Sequence, residues 1–361
     1  MRRLCMFVVC AAALMAPATL LAQGGWEVEL HGGLLSTPDI SGGSSSLPAP
    51  GPTFSTGGPY QSRRVSSWFF GDGAQLLNAI ASNPGFNIPE RITPLDPVVN
   101  NALADRKGGG SVGFRVSRDL TRRFAAEFNF DYAKTPFEAR AGVQSGLDAT
   151  SGSFKAVFES SRLLPPVLFV GKAVTSTNSL QVVDDGSEFL VTGAVKVNVL
   201  TRGTLRPYVT AGAGVTRSRG GEPVASVTGG YSFRISGVSS MNESDTVNVR
   251  QTFDQSVFVG LVGGGVNVHL TGRSGVRVDA RAHLGSTTDR TVLNASPNVM
   301  VGVPPSRVAS STNPSLSFSS FPQPTATPSS LSGEAVTDFT TFEVRRTRRQ
   351  VLIAFGYFYR F

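Results

Sequence analysis

The spacing of the segments in which every second residue is apolar constrains the fold most. Eight such segments occur, at roughly 25–35, 109–117, 123–136, 187–200, 206–218, 255–270, 276–285 and 349–361. Period-2 alternation is what a strand shows when its two faces meet different surroundings. The connections between them alternate in length. Residues 118–122, 201–205 and 271–275 are short, and Thr201-Arg-Gly-Thr204 and Thr271-Gly-Arg-Ser-Gly275 carry turn chemistry. Residues 36–108, 137–186, 219–254 and 286–348 are long. All short turns then fall at one end of a sheet and all long loops at the other. This rhythm predicts an all-β fold: an eight-stranded antiparallel up-and-down transmembrane β-barrel with short periplasmic turns and long extracellular loops.

A soluble sandwich also alternates, so the faces must decide. The last segment places Val351, Ile353, Phe355, Tyr357, Tyr359 and Phe361 on one side, and Gln350, Leu352, Ala354, Gly356, Phe358 and Arg360 on the other. Segment 123–136 sets Phe124, Phe128, Phe130 and Tyr132 against Glu127, Asn129 and Asp131. The polar faces mix bulky ions with Gly and Ala, as a narrow lumen requires. Aromatics near strand ends (Trp26, Tyr132, Tyr208, Tyr357 and Tyr359) fit the girdles of a membrane barrel. Charged residues make up 16% of the chain, below the quarter usual in soluble proteins, which agrees with a lipid-facing surface.

The N-terminus reads as an export signal. Met1-Arg2-Arg3 is a positive start, Leu4 to Ala16 is uncharged and apolar, and Ala22 is a cleavage residue. The expected organisation is a cleaved signal peptide at 1–22 and an outer-membrane barrel at 23–361. Both cysteines, Cys5 and Cys10, lie in the signal, so the mature chain is expected to hold neither a disulfide nor a Cys-ligated metal. No later run of 18 apolar residues predicts a transmembrane helix. The net charge of +8 is scattered, with its densest group at Arg345, Arg346, Arg348 and Arg349, and no nucleic-acid partner is expected.

The long segments read mostly as loop. Segments 39–59 and 303–332 are rich in Ser, Pro, Gly and Thr and are expected to be mobile. Residues 73–82 predict a short helix, and 224–236 with 246–254 predict a hairpin rising above the membrane.

The inward positions carry the candidate site. Glu27, Glu29, Arg115, Glu127, Asp131, Lys196, Arg277, Asp279, Arg281 and Arg360 bring opposite charges to neighbouring strands. Glu127 is expected between Arg115 and Lys196, and Glu27 beside Arg360. An unpaired ion in a poorly hydrated lumen costs several kcal/mol, so these groups should pair and plug the barrel. Other chemistry is not expected. Gly108-Gly-Gly-Ser-Val-Gly113 opens a strand where a dinucleotide motif would open a helix. His31, His269 and His283 lack metal-ligand spacing, so no catalytic, cofactor-binding or metal residues are assigned.

The N-terminal signal, the hairpin rhythm and the terminal segment Val351-Leu-Ile-Ala-Phe-Gly-Tyr-Phe-Tyr-Arg-Phe361 resemble the small outer-membrane β-barrels typified by the transmembrane domain of outer membrane protein A. The resemblance covers the eight strands and not the long loops. It implies that Phe355, Tyr357, Tyr359 and Phe361 form a signal read by the barrel assembly machinery. It also implies contact with outer-membrane lipid and lipopolysaccharide. No peptidoglycan-binding domain follows Phe361, so cell-wall anchoring is not carried over. Lipid A deacylases are barrel enzymes that resemble one another in a His-x-Ser pair, but here Ser286 stands one position too late after His283. The expected function is a non-enzymatic surface protein whose loops serve structural, shielding or binding roles toward an extracellular ligand. The alternatives are a narrow pore for a small solute or ion and, more weakly, a lipid-modifying enzyme. Side chains just fill an eight-stranded interior, which favours the first reading.

Overall fold

In a computed structural model of the chain, the described residues are 25–57, 60–81, 90–160, 162–163, 169–170, 172–233, 241–299, 310–313, 316–318 and 328–361. The expected signal peptide at 1–22, with Cys5 and Cys10, lies outside them.

Eleven strands carry the architecture. They are β1 (Trp26–Ser36), β2 (Gly109–Asp119), β3 (Phe124–Lys134), β4 (Lys172–Gln181), β5 (Ser187–Asn198), β6 (Leu205–Arg219), β7 (Val224–Phe233), β8 (Met241–Phe253), β9 (Ser256–His269), β10 (Ser274–Val299) and β11 (Val336–Arg360). Eight of them form an antiparallel ring in the order β10-β9-β6-β5-β3-β2-β1-β11, and β11 pairs back onto β10 from Ser274↔Tyr359 upward. Three tight turns join neighbours at one end. Leu120 N donates to Phe124 O at 2.8 Å and Leu270 N to Ser274 O at 3.0 Å. The ring therefore has a short-turn rim and a long-loop mouth. Among the described residues no helix is long and apolar enough to cross a membrane.

The two faces are inverted relative to a soluble protein. Outward positions are apolar and exposed: Leu30 and Leu34 are both 69% exposed, Phe258 63% and Phe355 60%. Inward positions are polar and buried, including Glu29, Arg115, Glu127, Lys196 and Arg277.

The apolar core lies beyond the mouth, in segments that read as loop. Strands β10 and β11 continue as a pair past the ring to Ala295↔Val336. Strand β8 joins this extension of β10, β7 joins β8, and β4 joins β7. The expected hairpin of the third loop is the β7–β8 pair. Helix α1 (Gly71–Ala81) covers residues expected to be helical. Helix α2 (Val143–Ser160) lies in a segment read as loop. Its buried residues Val143, Leu147, Thr150, Ser151, Phe154, Val157 and Phe158 recur at helical spacing and seal it against the sheet. Phe158 stacks on Tyr231 of β7 with centroids 4.0 Å apart. We call this helix-covered sheet the cap.

The expected mobility of 39–59 and 303–332 does not hold where those segments are described. Ile40 is buried, Ser44–Ser45 pairs with β11, and Thr53–Gly57 forms a hairpin with Tyr60–Arg63. Leu316, Phe318 and Leu331 are buried in the cap core. Each segment alone has too little apolar surface to offset ordering entropy, but several loops pool their few large residues into one core.

Gly229 marks a tight contact of that core. A Cβ there would stand 2.5 Å from the Phe154 ring and 2.9 Å from that of Phe69. Both rings are fully buried, so neither can swing away. Gly229→Ala is expected to destabilise the cap by about 1–3 kcal/mol through overpacking. The measurement is limited proteolysis of the cap at rising temperature. Cleavage identical to wild type would show that the rings have room.

Candidate functional site

The lumen holds a charge cluster assembled from the inward positions of β1, β2, β3, β5, β10 and β11. Five carboxylates (Glu27, Glu29, Glu127, Asp131 and Asp279) meet five cations (Arg115, Lys196, Arg277, Arg281 and Arg360), and Asp119 at the rim is a sixth carboxylate. The Arg115 guanidinium bridges Glu29 at 3.0 Å and Asp279 at 2.9 Å, and its Nε donates to Asn129 at 2.5 Å. Arg277 contacts Glu27 and Glu29, while its Nε donates to Asn267 at 2.5 Å. Lys196 lies 3.4 Å from Glu127 and 3.6 Å from Glu27. Arg360 closes the short-turn rim by bridging Glu27 at 2.9 Å and Asp119 at 3.4 Å.

The pairing differs from the sequence expectation at one point. Glu127 does not pair with Arg115. It reaches Arg281 at 3.0 Å. Strands β3 and β10 stand four places apart around the ring in either direction, so this bridge crosses the full lumen. Sequence neighbours along the ring suggest partners on adjacent strands, but an arginine is long enough to span a narrow interior.

Tyr208 is a second correction. It was expected among the outward aromatics, yet it is 2% exposed and donates from its hydroxyl to Asp279 at 2.8 Å. The signal was in its neighbours: Val209 and Ala211 are outward, so period 2 turns Tyr208 inward. Of the other expected girdle residues, Trp26, Tyr357 and Tyr359 are exposed and Tyr132 is half-buried against Phe189.

The sequence assigns His31 no catalytic or metal-binding role. It contacts Asp131 through Nε2 at 2.6 Å. Gly113 makes this possible, since a Cβ there would meet both His31 Nε2 at 2.6 Å and Asp131 Oδ1 at 2.7 Å. The last glycine of the dinucleotide-like motif therefore clears space for an inward hydrogen bond. A further tier at the mouth was missed because Arg348 lay outside the expected last strand. Its guanidinium bridges Glu188 at 2.6 Å, and Gln350 donates to the same carboxylate at 2.7 Å. His283 is buried inward and Ser286 is exposed outward, so these two cannot act as a pair. Phe355, Tyr357, Tyr359 and Phe361 form an exposed outward row on the last strand and just beyond it.

The cap holds two buried carboxyls on the inner face of β8. Glu243 accepts from the Tyr231 hydroxyl at 2.5 Å and from Ser329 at 2.6 Å. Asp245 accepts from Trp68 N at 2.6 Å and from Ser67 at 2.8 Å. Burial pushes each up to about 7, against the lowering effect of those donors.

Solved outer-membrane proteins share the outline of this chain at low similarity. The outer membrane protein OprG from Pseudomonas aeruginosa matches with 9% identity and a TM-score of 0.37, over 92% of this chain and 95% of that one. The outer membrane protease OmpT from Escherichia coli matches with 8% identity and a TM-score of 0.26, over 94% and 96%. The toluene transporter TbuX from Ralstonia pickettii matches with 11% identity and a TM-score of 0.18, over 97% and 93%. No protein-family profile and no curated protein sequence matches the chain. At these identities no residue role passes from those proteins to this one.

Proposed function

We propose that this chain is a non-enzymatic bacterial outer-membrane protein in which a plugged eight-stranded ring anchors a folded cap at the cell surface. The observation that carries the plug is the Glu127–Arg281 bridge, because side chains from opposite walls meet at 3.0 Å. A channel wide enough for a solute would need those walls apart. The exposed apolar belt supports lipid as the surroundings, since soluble proteins rarely leave such a continuous patch in water. Lipopolysaccharide and phospholipid then contact that belt, the outward row Phe355, Tyr357, Tyr359 and Phe361 meets the barrel assembly machinery, and the cap presents its polar surface to an extracellular ligand.

Planar-bilayer recording tests the plug. The refolded protein is expected to give no steady open level, and a large stable conductance would replace the plug with a transport pore. Surface labelling tests the orientation. Asn248 is exposed on the cap and Arg202 on a short turn. An impermeant thiol reagent added to intact cells should label Asn248→Cys and spare Arg202→Cys. The reverse pattern would invert the topology.

A further inference from the structure

Where the ring meets the cap, a cleft partly open to solvent has about 20 Å³ of free space, room for one water-sized group. Three arginines, Arg106, Arg346 and Arg348, and two carboxylates, Asp254 and Asp289, line it. Two of the arginines have carboxylate partners. Arg346 bridges Asp289 at 3.2 Å and Arg348 bridges Glu188 at 2.6 Å. Arg106 differs. It ends the short strand Ala104–Arg106 and is 7% exposed, yet no carboxylate among the described residues lies within ion-pair distance of it. Its guanidinium carbon sits 4.7 Å from the Phe137 ring centroid and 4.5 Å from that of Phe253. Its one hydrogen bond among the described residues is a long one, from Nη1 to Thr135 Oγ1 at 3.4 Å. Nη2 is buried without a partner.

This arrangement is costly for a cation that has no ligand. Burial lowers the Arg106 pKa to about 10, with nearby Arg348 adding to the effect, so the group stays charged at neutral pH. A buried guanidinium keeps a charge and an unmade hydrogen bond, and each is destabilising. The two rings fix the plane of its donor fork, which suits it to receive two oxygens at once. We propose that this cleft binds a small oxyanion, a carboxylate or phosphate group, on the Arg106 guanidinium. Arg346 and Arg348, each held by its own carboxylate, flank the site. The inference stands on the mouth and cap alone and does not depend on the plugged-ring reading.

Calorimetric titration of the detergent-solubilised protein with inorganic phosphate and, separately, with acetate tests this at constant ionic strength, with chloride as the control anion. Saturable binding of phosphate or acetate is expected, and which one binds identifies the oxyanion. Arg106→Gln should weaken that binding at least tenfold. Thermal unfolding adds a measurement that does not depend on the variant's affinity. The bound anion should raise the wild-type melting temperature, and Arg106→Gln in anion-free buffer should melt no lower than wild type. The proposal is overturned if wild type binds neither anion, if Arg106→Gln binds equally well, or if that variant unfolds earlier in the absence of anion.

Discussion

Glu127→Ala is expected to lower the stability of the ring by about 3–5 kcal/mol, the cost of leaving buried charges without their partner. Glu127 is within 4 Å of Lys196, Arg277 and Arg281, at 3.4, 3.7 and 3.0 Å. Removing it leaves three buried cations short of a carboxylate that they share. The loss therefore reflects the stranded cations more than the bridge itself. That distinction gives a sharper outcome. Removing Lys196 as well takes away one of the stranded cations, so the double variant Glu127→Ala/Lys196→Ala should recover a substantial part of the loss, which is the coupling of groups in one network. Urea unfolding of vesicle-inserted protein measures both. A loss below about 1 kcal/mol for the single variant, the range typical of exposed pairs, would mean that the lumen is hydrated and the charges separately solvated.

The strand faces were legible because period 2 needs no knowledge of partners. Glu127, Asn129 and Asp131 face inward wherever β3 happens to sit. The partners were not legible, because register and ring order decide which inward groups are level. Thus Arg115 meets Glu29 and Asp279, and Glu127 crosses to Arg281. The cap was the larger omission. Phe69, Phe154, Tyr231 and Phe318 come from four separate segments, each diluted by Ser, Gly and Pro. Averages over a segment hide residues whose partners lie far along the chain. Helix α2 shows the same effect, since VQSGLDATSGSFKAVFES reads as loop until its apolar positions are set at helical spacing.

One structural link joins ring and cap. Strands β10 and β11 are 26 and 25 residues long. A tilted strand crosses a bilayer in about 9–11 residues. At about 3.3 Å per residue, more than half of each strand's length continues beyond the ring. The same ladder that closes the ring through Arg277 and Phe358 holds the edge of the cap sheet at Leu293. The cap is therefore carried on two rigid strands rather than on a flexible tether.

The cap itself should become less stable as pH rises from about 4 to about 7. Glu243 and Asp245 are raised from their ordinary values of 4.5 and 3.8 to about 7, with burial as the largest cause. The folded cap thus holds both protons at pH 5–6, where the unfolded chain has largely released them. The native state then binds more protons than the unfolded state, so stability falls with rising pH across that window and levels off above about 7. At about 1.4 kcal/mol per pKa unit the effect is on the order of 3 kcal/mol for each group. The geometry agrees with protonation, because Asp245 Oδ1 is buried without a hydrogen-bond partner and no cation pairs with either carboxyl among the described residues. Tyr231 stays a phenol throughout, since burial and Glu243 push it well above 10. Amide hydrogen exchange in β7 and β8 at pH 5 and pH 8, corrected for intrinsic rates, reads the difference. Wild type should lose protection at the higher pH, and Glu243→Gln with Asp245→Asn should remove most of that loss, because neutral amides keep the shape without a titrating proton. Protection in wild type that is equal or greater at pH 8 would show that the two carboxylates are ionised in the folded cap.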